Sequence, residues 1–299
     1  MTEAGATRQI EVPSSLRLKA TVRGAKDPVM IGPGETWWST RTPDGTGTLH
    51  LQRTKDTEVQ AEAWGDGSQW LLEQAPKLLG FDDDLTGFEP TGAVADAWAA
   101  KPFLLSRTDR PWDALVGAIL GQKVQVTKAH QSRRQLARKF GDPAPGPRNG
   151  WILPSPATTA QMAYYDFHPL GVERKRAEII IRVAHELRRL PNLSTTHEPS
   201  MVKARLERIR GIGPWTTNMV TAVTMGDADA VPVGDYHIPN TVAWFLAGEA
   251  RATDDRMLEL LEPYAGHRWR VIRLAKSTGK APAYGPRMSL TSDGMHRGA

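Results

Sequence analysis

A short segment in the last third of the chain combines glycine, proline and arginine in an order that suits anion binding. Residues 211–214 are Gly-Ile-Gly-Pro. Glycine is favoured just after a helix end and proline at the first position of a helix, so this order predicts two helices joined by a tight turn. Free amides and the helix dipole at the second helix start attract anions, and Arg208 and Arg210 lie beside them. The segment predicts a clamp for a phosphate backbone; a simple turn between helices would use the same residues.

An aspartate follows this turn at a distance that gives it two interpretations. Asp235 lies 20 residues after Trp215 and just ahead of an apolar, helix-periodic segment. An aspartate in this position commonly caps the helix by accepting hydrogen bonds from its first amides. A partly desolvated carboxylate can also stabilise a developing positive charge. The residues alone leave both interpretations open.

Taken together, the Gly-Ile-Gly turn and Asp235 resemble the helix-hairpin-helix (HhH-GPD) DNA glycosylase superfamily, in which such a hairpin is followed at about this distance by an essential aspartate. Residues 118–124 (Ala-Ile-Leu-Gly-Gln-Lys-Val) and 169–178 narrow the resemblance to the 3-methyladenine DNA glycosylase II family. A β-rich N-terminus agrees in position and length with that family's accessory sheet. The resemblance extends over most of residues 10–275.

This resemblance implies a reaction: hydrolysis of the N-glycosidic bond of alkylated bases of the 3-methyladenine and 7-methylguanine type. Alkylation makes the purine cationic and hence a good leaving group, so the sugar mainly needs a nearby negative charge, for which Asp235 is the candidate. Bifunctional members of the superfamily carry a lysine where this chain has Trp215. The chain therefore lacks that amine nucleophile, and we expect a monofunctional enzyme that leaves an abasic site without strand cleavage.

The resemblance also implies the residues that contact the base and the DNA. For the base pocket they are Trp215, Met219, Tyr236, His267 and Gln122. For the DNA they are Gly211, Ile212, Gly213, Thr216, Arg208, Arg210 and Lys123. No cofactor is expected to be required, although the backbone carbonyls of Glu207, Ile209 and Ile212 would correspond to a Na⁺ or K⁺ site in the family.

Three positions depart from the family pattern. Met219 replaces a pocket tyrosine, and His267 replaces a pocket tryptophan. Lys123 stands where the family has an apolar residue that fills the gap left by the flipped base, so whether Lys123 or Gln122 fills the gap stays open. These departures keep two alternatives in view: a glycosylase of the same superfamily for a deaminated purine or a bulky adduct, and a non-catalytic DNA-binding protein. A purely structural helical protein is a third.

These residues must be positioned by two kinds of structure. Alternating apolar and polar residues at 16–22, 48–52 and 58–64 predict antiparallel strands, followed by a short helix at 68–79. From residue 92 onward, apolar spacing and proline starts predict helices. We therefore predict an α+β fold: a β-rich accessory domain at 1–91, a helical glycosylase domain at 92–275 and a flexible tail at 276–299.

The amino-acid composition excludes several classes of protein and indicates one kind of partner. The chain has 299 residues and no cysteine, which excludes disulfide scaffolds, zinc-thiolate sites, cysteine nucleophiles and cysteine-held iron–sulfur clusters. Residues 1–100 carry 9 Lys and Arg against 15 Asp and Glu, a net charge of −6, whereas residues 101–299 carry 29 against 18, a net charge of +11. The basic part fits a nucleic acid partner.

The sequence also predicts the partners and the location of the protein. No apolar run approaches the roughly 20 residues that cross a bilayer, and no signal peptide is visible. We expect a monomer that binds double-stranded DNA with a damaged base, makes no membrane contact and is cytoplasmic, or nucleoid-associated in a bacterium.

Overall fold

A computed structural model describes residues 5–22, 29–32, 34–189, 193 and 197–279. The N-terminal part is a five-stranded antiparallel sheet with the order β1-β5-β4-β3-β2. Its strands are β1 (Ala6–Glu11), β2 (Val29–Ile31), β3 (Glu35–Thr42), β4 (Gly45–Lys55) and β5 (Glu58–Trp64). The predicted strands at 48–52 and 58–64 are thus confirmed, as part of β4 and as β5.

One face of the sheet is covered by a helix, α2 (Ser68–Leu78). Buried and partly exposed residues alternate along β3 and β5, as expected for a sheet with one covered face. The core between sheet and helix contains Trp38, Leu49, Leu51, Val59, Leu71, Ala75 and Leu78. The predicted helix at 68–79 is confirmed.

The predicted strand at 16–22 is wrong, because residues Leu18–Val22 form a short helix, α1. β1 and β2 are the two edge strands of the sheet, so the segment between them must cross from one edge to the other. A crossing segment cannot join the ladder, and its backbone groups need another partner. The amide of Thr21 donates to the carbonyl of Arg17 at 3.0 Å, while Leu16 and Leu18 are still buried against the sheet.

The rest of the described chain is mainly helical, in two groups. The first contains α4 (Pro111–Gly121), α5 (Val126–Phe140), α6 (Pro156–Thr159), α7 (Tyr164–Phe167), α8 (Arg174–Leu187), α9 (Pro199–Leu206) and α10 (Pro214–Thr224). The second contains α3 (Gly92–Ala100), α11 (Ile238–Ala247), α12 (Asp254–Leu261) and α13 (Arg268–Ser277). The connection between α5 and α6 contains a two-stranded sheet of β6 (Asp142–Pro143) and β7 (Trp151–Ile152). This antiparallel sheet followed by helices confirms the predicted α+β architecture.

The helix α10 joins the two helical groups. Its Val220 lies in the core of the first group, whereas Met219 and Ala222 lie in the core of the second. A helix with buried residues on both sides is fixed firmly in position. The start of α10 therefore lies at a defined place between the two groups.

The predicted boundary between the helical domain and the tail lies close to the end of the last helix. The last helix continues to Ser277, two residues beyond the predicted boundary at 275, and residues 280–299 of the predicted tail lie outside the described residues. Within the described part, the helices are all too short or too polar to cross a membrane.

Candidate active site

The turn predicted from Gly-Ile-Gly-Pro forms a tight hairpin between α9 and α10. Gly211 has φ +99°, and a Cβ there would lie 2.5 Å from the side chain of Ile179. Glycine is thus required both by backbone conformation and by space. Ile212 is buried in the core of the first helical group, while Gly213 faces open space and leads into Pro214 at the start of α10.

The outer surface of this hairpin is positively charged. Arg208 and Arg210 are exposed, and the Arg210 carbonyl accepts a hydrogen bond from the Arg182 guanidinium at 3.2 Å. The first amides of α10 have no partner within the helix, as at any helix start, and no side chain caps them. This combination of free amides and cations suits a phosphate group.

Gln122 joins the end of α4 to the hairpin. Its side-chain amide donates to the Gly211 carbonyl at 3.2 Å and to the Thr216 hydroxyl at 3.1 Å. The next residue, Lys123, is exposed and has φ +55°, a conformation that residues other than glycine rarely adopt. The anchored Gln122 side chain thereby fixes the turn that presents Lys123.

The carboxylate of Asp235 is held on both oxygens. The Trp215 indole Nε1 donates to Oδ2 at 2.8 Å, and the amides of His237 and Ile238 donate to Oδ1 at 2.8 and 2.9 Å. The last two bonds satisfy amides at the start of α11. Asp235 accepts these amides from two residues ahead of His237, which is itself the N-cap residue of α11, and its carboxylate stays in place as a charge.

The pKa of Asp235 lies below its ordinary value. Burial of the carboxyl raises this pKa, but the hydrogen bonds from Trp215, His237 and Ile238 and the positive charge of Lys276 lower it by more. Each of these donors favours the charged form. Asp235 is thus a partly buried carboxylate that stays ionised at neutral pH.

Asp235 borders a cleft of about 910 Å³, which we call the Asp235 cleft. Its lining consists of Lys123, Gly234, Asp235, Tyr236, Pro239, Asn240, Arg251, Ala252, Thr253 and Asp254. Tyr236 is 80% exposed, so its ring is free to meet a ligand. The cleft therefore places a cation, a carboxylate and an exposed aromatic ring around one opening.

The wall of the cleft contains positioning groups that the sequence did not single out. Asp254 Oδ2 accepts the amide of Gly234, which has φ +83°, at 2.9 Å. Asn240 accepts the amide of Ala252, also at 2.9 Å. These bonds tie the loop before Asp235 to the first residue of α12, and the start of α11 to the loop before α12. The one feature of the local sequence that could have indicated this wall is Thr253, whose side chain caps α12.

The residues assigned to the base pocket do not all reach this cleft. Trp215 bonds to Asp235 and packs at the edge of the second helical core, and its ring reaches Gly121 at the end of α4. Met219 is buried in that core. His267 is buried elsewhere: its Nε2 lies 3.0 Å from the Thr86 carbonyl, and its ring packs on Phe88. Of the pocket residues, only Tyr236 lines the cleft directly.

The carbonyls that would hold a monovalent cation lie on the hairpin. The Ile209 carbonyl accepts the amide of Ile212 at 2.9 Å, which leaves it a second lone pair. The side chain of Glu207 accepts a hydrogen bond from Thr217 at 2.9 Å. Backbone carbonyl oxygens can replace the hydration shell of a monovalent cation such as K⁺. Among the described residues, no cluster of three or more His, Cys, Asp or Glu side chains could bind a metal.

Comparison with known proteins agrees with this architecture. Residues 116–265, which are 150 of the 299 residues, match the family described as HhH-GPD superfamily base excision DNA repair protein. A DNA-3-methyladenine glycosylase from Bacillus subtilis is 26% identical over 212 residues, which cover 66% of this chain and 69% of the relative.

Solved structures share the fold over nearly the whole chain. A 3-methyladenine DNA glycosylase from Archaeoglobus fulgidus superposes with a TM-score of 0.76 at 15% identity and covers 90% of this chain and 97% of that one. An 8-oxoguanine glycosylase/lyase from Clostridium acetobutylicum, in complex with double-stranded DNA, gives a TM-score of 0.71 at 11% identity, with 93% and 97% covered. The chain belongs to the HhH-GPD superfamily of base excision DNA repair proteins and, within it, is similar to the 3-methyladenine DNA glycosylases.

Proposed function

We propose that this chain is a monofunctional DNA glycosylase that releases alkylated purines from double-stranded DNA. The observation that carries the proposal is the ionised carboxylate of Asp235, held by Trp215 and two amides at the edge of an open cleft. The similarity to 3-methyladenine glycosylases supports the substrate class.

The hairpin supplies the first step, which is binding. The amides at the start of α10 and the exposed Arg208 and Arg210 contact phosphates and leave the bases unread. A monovalent cation on the carbonyls of Glu207, Ile209 and Ile212 would add positive charge at the same place. The damaged nucleotide then leaves the base stack, which costs least where the base is damaged.

Asp235 supplies the chemical step. The bond between C1′ and the base nitrogen breaks, and its electron pair leaves with the cationic base, which becomes neutral. The sugar develops positive charge, and the fixed carboxylate stabilises that charge. Water then adds to C1′ and loses a proton, which leaves an abasic site.

The absence of an amine at position 215 supports the monofunctional product. The indole of Trp215 cannot form a Schiff base with the sugar, and its Nε1 is engaged by Asp235. Lys123 also lines the cleft, and it lies in the turn that follows α4, where its backbone φ is +55°. We assign Lys123 to contact with DNA at the gap left by the flipped base, where its stem and charge can both act.

A second candidate function is excision of a deaminated purine such as hypoxanthine. The cleft is lined by Asn240, Arg251 and Thr253, whereas Met219 and His267 are buried away from it. Polar groups suit a neutral base that must be recognised by hydrogen bonds rather than by its charge. This observation favours a lesion range that differs from that of an aromatic pocket.

Base release distinguishes these candidates. Duplexes carrying 3-methyladenine, 7-methylguanine or hypoxanthine are incubated with the protein, and the free base is measured by chromatography. Release of the methylated purines, with strand breaks only after alkali, supports the proposal; release of hypoxanthine alone assigns the second candidate. Binding without release from any duplex would identify a non-catalytic DNA-binding protein.

A further inference from the structure

Helix α5 presents one strongly basic face that the site described above does not use. Five of its fifteen residues are Lys or Arg, and none is Asp or Glu. Its buried residues are Ala129, Ser132, Leu136 and Ala137. The opposite side is exposed and carries Lys128, Gln131, Arg134, Gln135, Arg138 and Lys139, which we call the basic face of α5.

The cations of this face are not neutralised by the described part of the chain. In the part of the chain that the structure describes, Lys128, Arg134, Arg138 and Lys139 form no ion pair with an acidic side chain; the Lys139 ammonium lies over the ring of Phe140. By contrast, Arg133, on the inner side of the same helix, faces Asp113 at 3.6 Å. The inward arginine has an acidic partner in Asp113, whereas the outward cations are available to an external anion.

The arrangement works against the isolated helix. Arg134 and Arg138 are four residues apart, a spacing at which like charges repel on a helix. Lys128 lies in the first turn, where the helix dipole disfavours a cation and no acidic residue compensates. An anionic partner along this face would relieve both effects.

The position of α5 decides which anion fits. The helix begins three residues after Lys123, which lines the Asp235 cleft, and the Ser132 hydroxyl donates to the Leu170 carbonyl at 2.8 Å on its inner side. Lys128 and Arg138 are about 15 Å apart along the axis. Phosphates of one strand rise about 3.4 Å each along the duplex axis, so this length spans about four phosphate intervals.

We propose that the basic face of α5 is a second phosphate-contacting surface, which holds the DNA backbone beyond the cleft independently of the hairpin. The inference rests on the proposed function in that it extends the DNA-contacting surface of the same protein. Its partner is the duplex backbone, read by charge and not by sequence.

The test is the salt dependence of DNA binding by the double variant Arg134→Gln/Arg138→Gln. Glutamine is a good helix former, so α5 is retained. Anisotropy of a labelled duplex with a tetrahydrofuran abasic analogue gives the dissociation constant between 50 and 200 mM KCl. Two lost contacts reduce the slope of log K against log salt by about 1.8, so the loss of affinity over this range becomes about twelvefold smaller. The matched control is Arg17→Gln/Lys19→Gln, which removes the same charge from exposed residues of the N-terminal part.

The outcomes separate this inference from the proposed function. A reduced slope in the α5 variant but not in the control supports the inference. An unchanged slope, or equal reductions in both variants, overturns it. The inference is also overturned if the α5 variant loses binding to phosphatidylglycerol vesicles while its DNA binding is unchanged. Single-turnover base release by the wild type, with excess enzyme at low salt, is measured in parallel. If the wild type itself releases no base, the proposed function fails, while the salt slope still decides the role of α5.

Discussion

At Asp235, one side chain closes the start of α11 and holds a negative charge beside the cleft. The structural role and the proposed catalytic role use different properties: holding the amides at the start of α11 needs an acceptor oxygen, and stabilisation of a cationic sugar needs charge. Both oxygens accept hydrogen bonds, so the carboxylate is fixed before any substrate arrives. A fixed charge costs no rearrangement at the moment of reaction, which is what electrostatic catalysis requires.

Two substitutions separate these roles. Asparagine still accepts the amides of His237 and Ile238 with its one oxygen, but its NH2 group faces the Trp215 indole N–H, so Asp235→Asn is expected to lose about 1 kcal/mol of the free energy of unfolding. Asp235→Ala loses all three bonds, and we expect it to lose about 2 kcal/mol. Urea unfolding at neutral pH measures both. Equal stability of the alanine variant and the wild type would show that the bonds from His237 and Ile238 contribute nothing.

The indole of Trp215 is predicted to set the pH range of activity. Trp215→Phe keeps an aromatic ring but removes the donor to Asp235. Because this bond favours the ionised carboxylate, its loss raises the pKa of Asp235, and the acid limb of the rate profile moves to higher pH. The profile of single-turnover base release checks this.

Trp112→Phe is the matched control, since it also removes an indole hydrogen bond, to the Pro154 carbonyl, away from the cleft. Its acid limb is expected to coincide with that of the wild type. An unmoved limb in Trp215→Phe as well would mean that the indole does not tune the carboxylate.

At the scale of elements, the hairpin depends on two glycines for different reasons. Gly211→Ala meets both a positive φ and the side chain of Ile179, so we expect a loss of about 1–3 kcal/mol in the free energy of unfolding. Gly213→Ala points into open space at a negative φ, so its stability stays near that of the wild type. DNA affinity is expected to fall, because the added methyl group blocks close approach of a phosphate.

Thermal unfolding and anisotropy measure this pair. Equal stability of Gly211→Ala and Gly213→Ala would contradict the conformational role of Gly211, and wild-type DNA binding by Gly213→Ala would contradict the contact with phosphate at Gly213.

Elements that begin or end at glycine or proline were predictable from the sequence. Elements whose conformation depends on the order of strands in the sheet were not. The glycines at 211 and 213 and Pro214 gave the hairpin, and Pro111 gave the start of α4. At 16–22 the alternation of residues favoured a strand, but the order of strands forced the chain across the sheet and into α1. The short pair β6 and β7 has two residues per strand, too few for a periodic signal.

The site follows the same division. The position of Asp235 just ahead of α11 was predictable because its spacing from the hairpin is local along the chain. The contact of His267 with Thr86 joins residues 181 positions apart, and no spacing rule announces it. The positioning role of Gln122 likewise depends on a contact across 89 residues, to the Gly211 carbonyl.

At the scale of the whole molecule, the sheet and the helices are joined through buried polar groups. Asp113 on α4 accepts a hydrogen bond from Thr40 on β3 and faces Arg133 on α5. The side chains of Asp113 and Arg133 are 8% and 11% exposed, so removal of one leaves the other as a buried charge. The acidic N-terminal part and the basic helical part are thus connected at a specific point.

Loss of that point is predicted to be costly. Asp113→Ala leaves the Arg133 guanidinium uncompensated and should lower the free energy of unfolding by about 3 kcal/mol. The double variant Asp113→Ala/Arg133→Met removes the stranded charge and should recover part of the loss. Urea unfolding of both proteins measures the coupling; a loss below about 1 kcal/mol in Asp113→Ala would show that the pair does not hold the parts together.

The most direct test of the central claim compares wild-type and Asp235→Asn proteins on one duplex carrying 7-methylguanine. Single-turnover release of the base gives the rate, and anisotropy with the tetrahydrofuran duplex gives the affinity. We predict that Asp235→Asn binds with the wild-type dissociation constant and releases the base at least about 100-fold more slowly. Release by Asp235→Asn at a rate within a few-fold of the wild type would contradict the assignment of Asp235 as the catalytic charge.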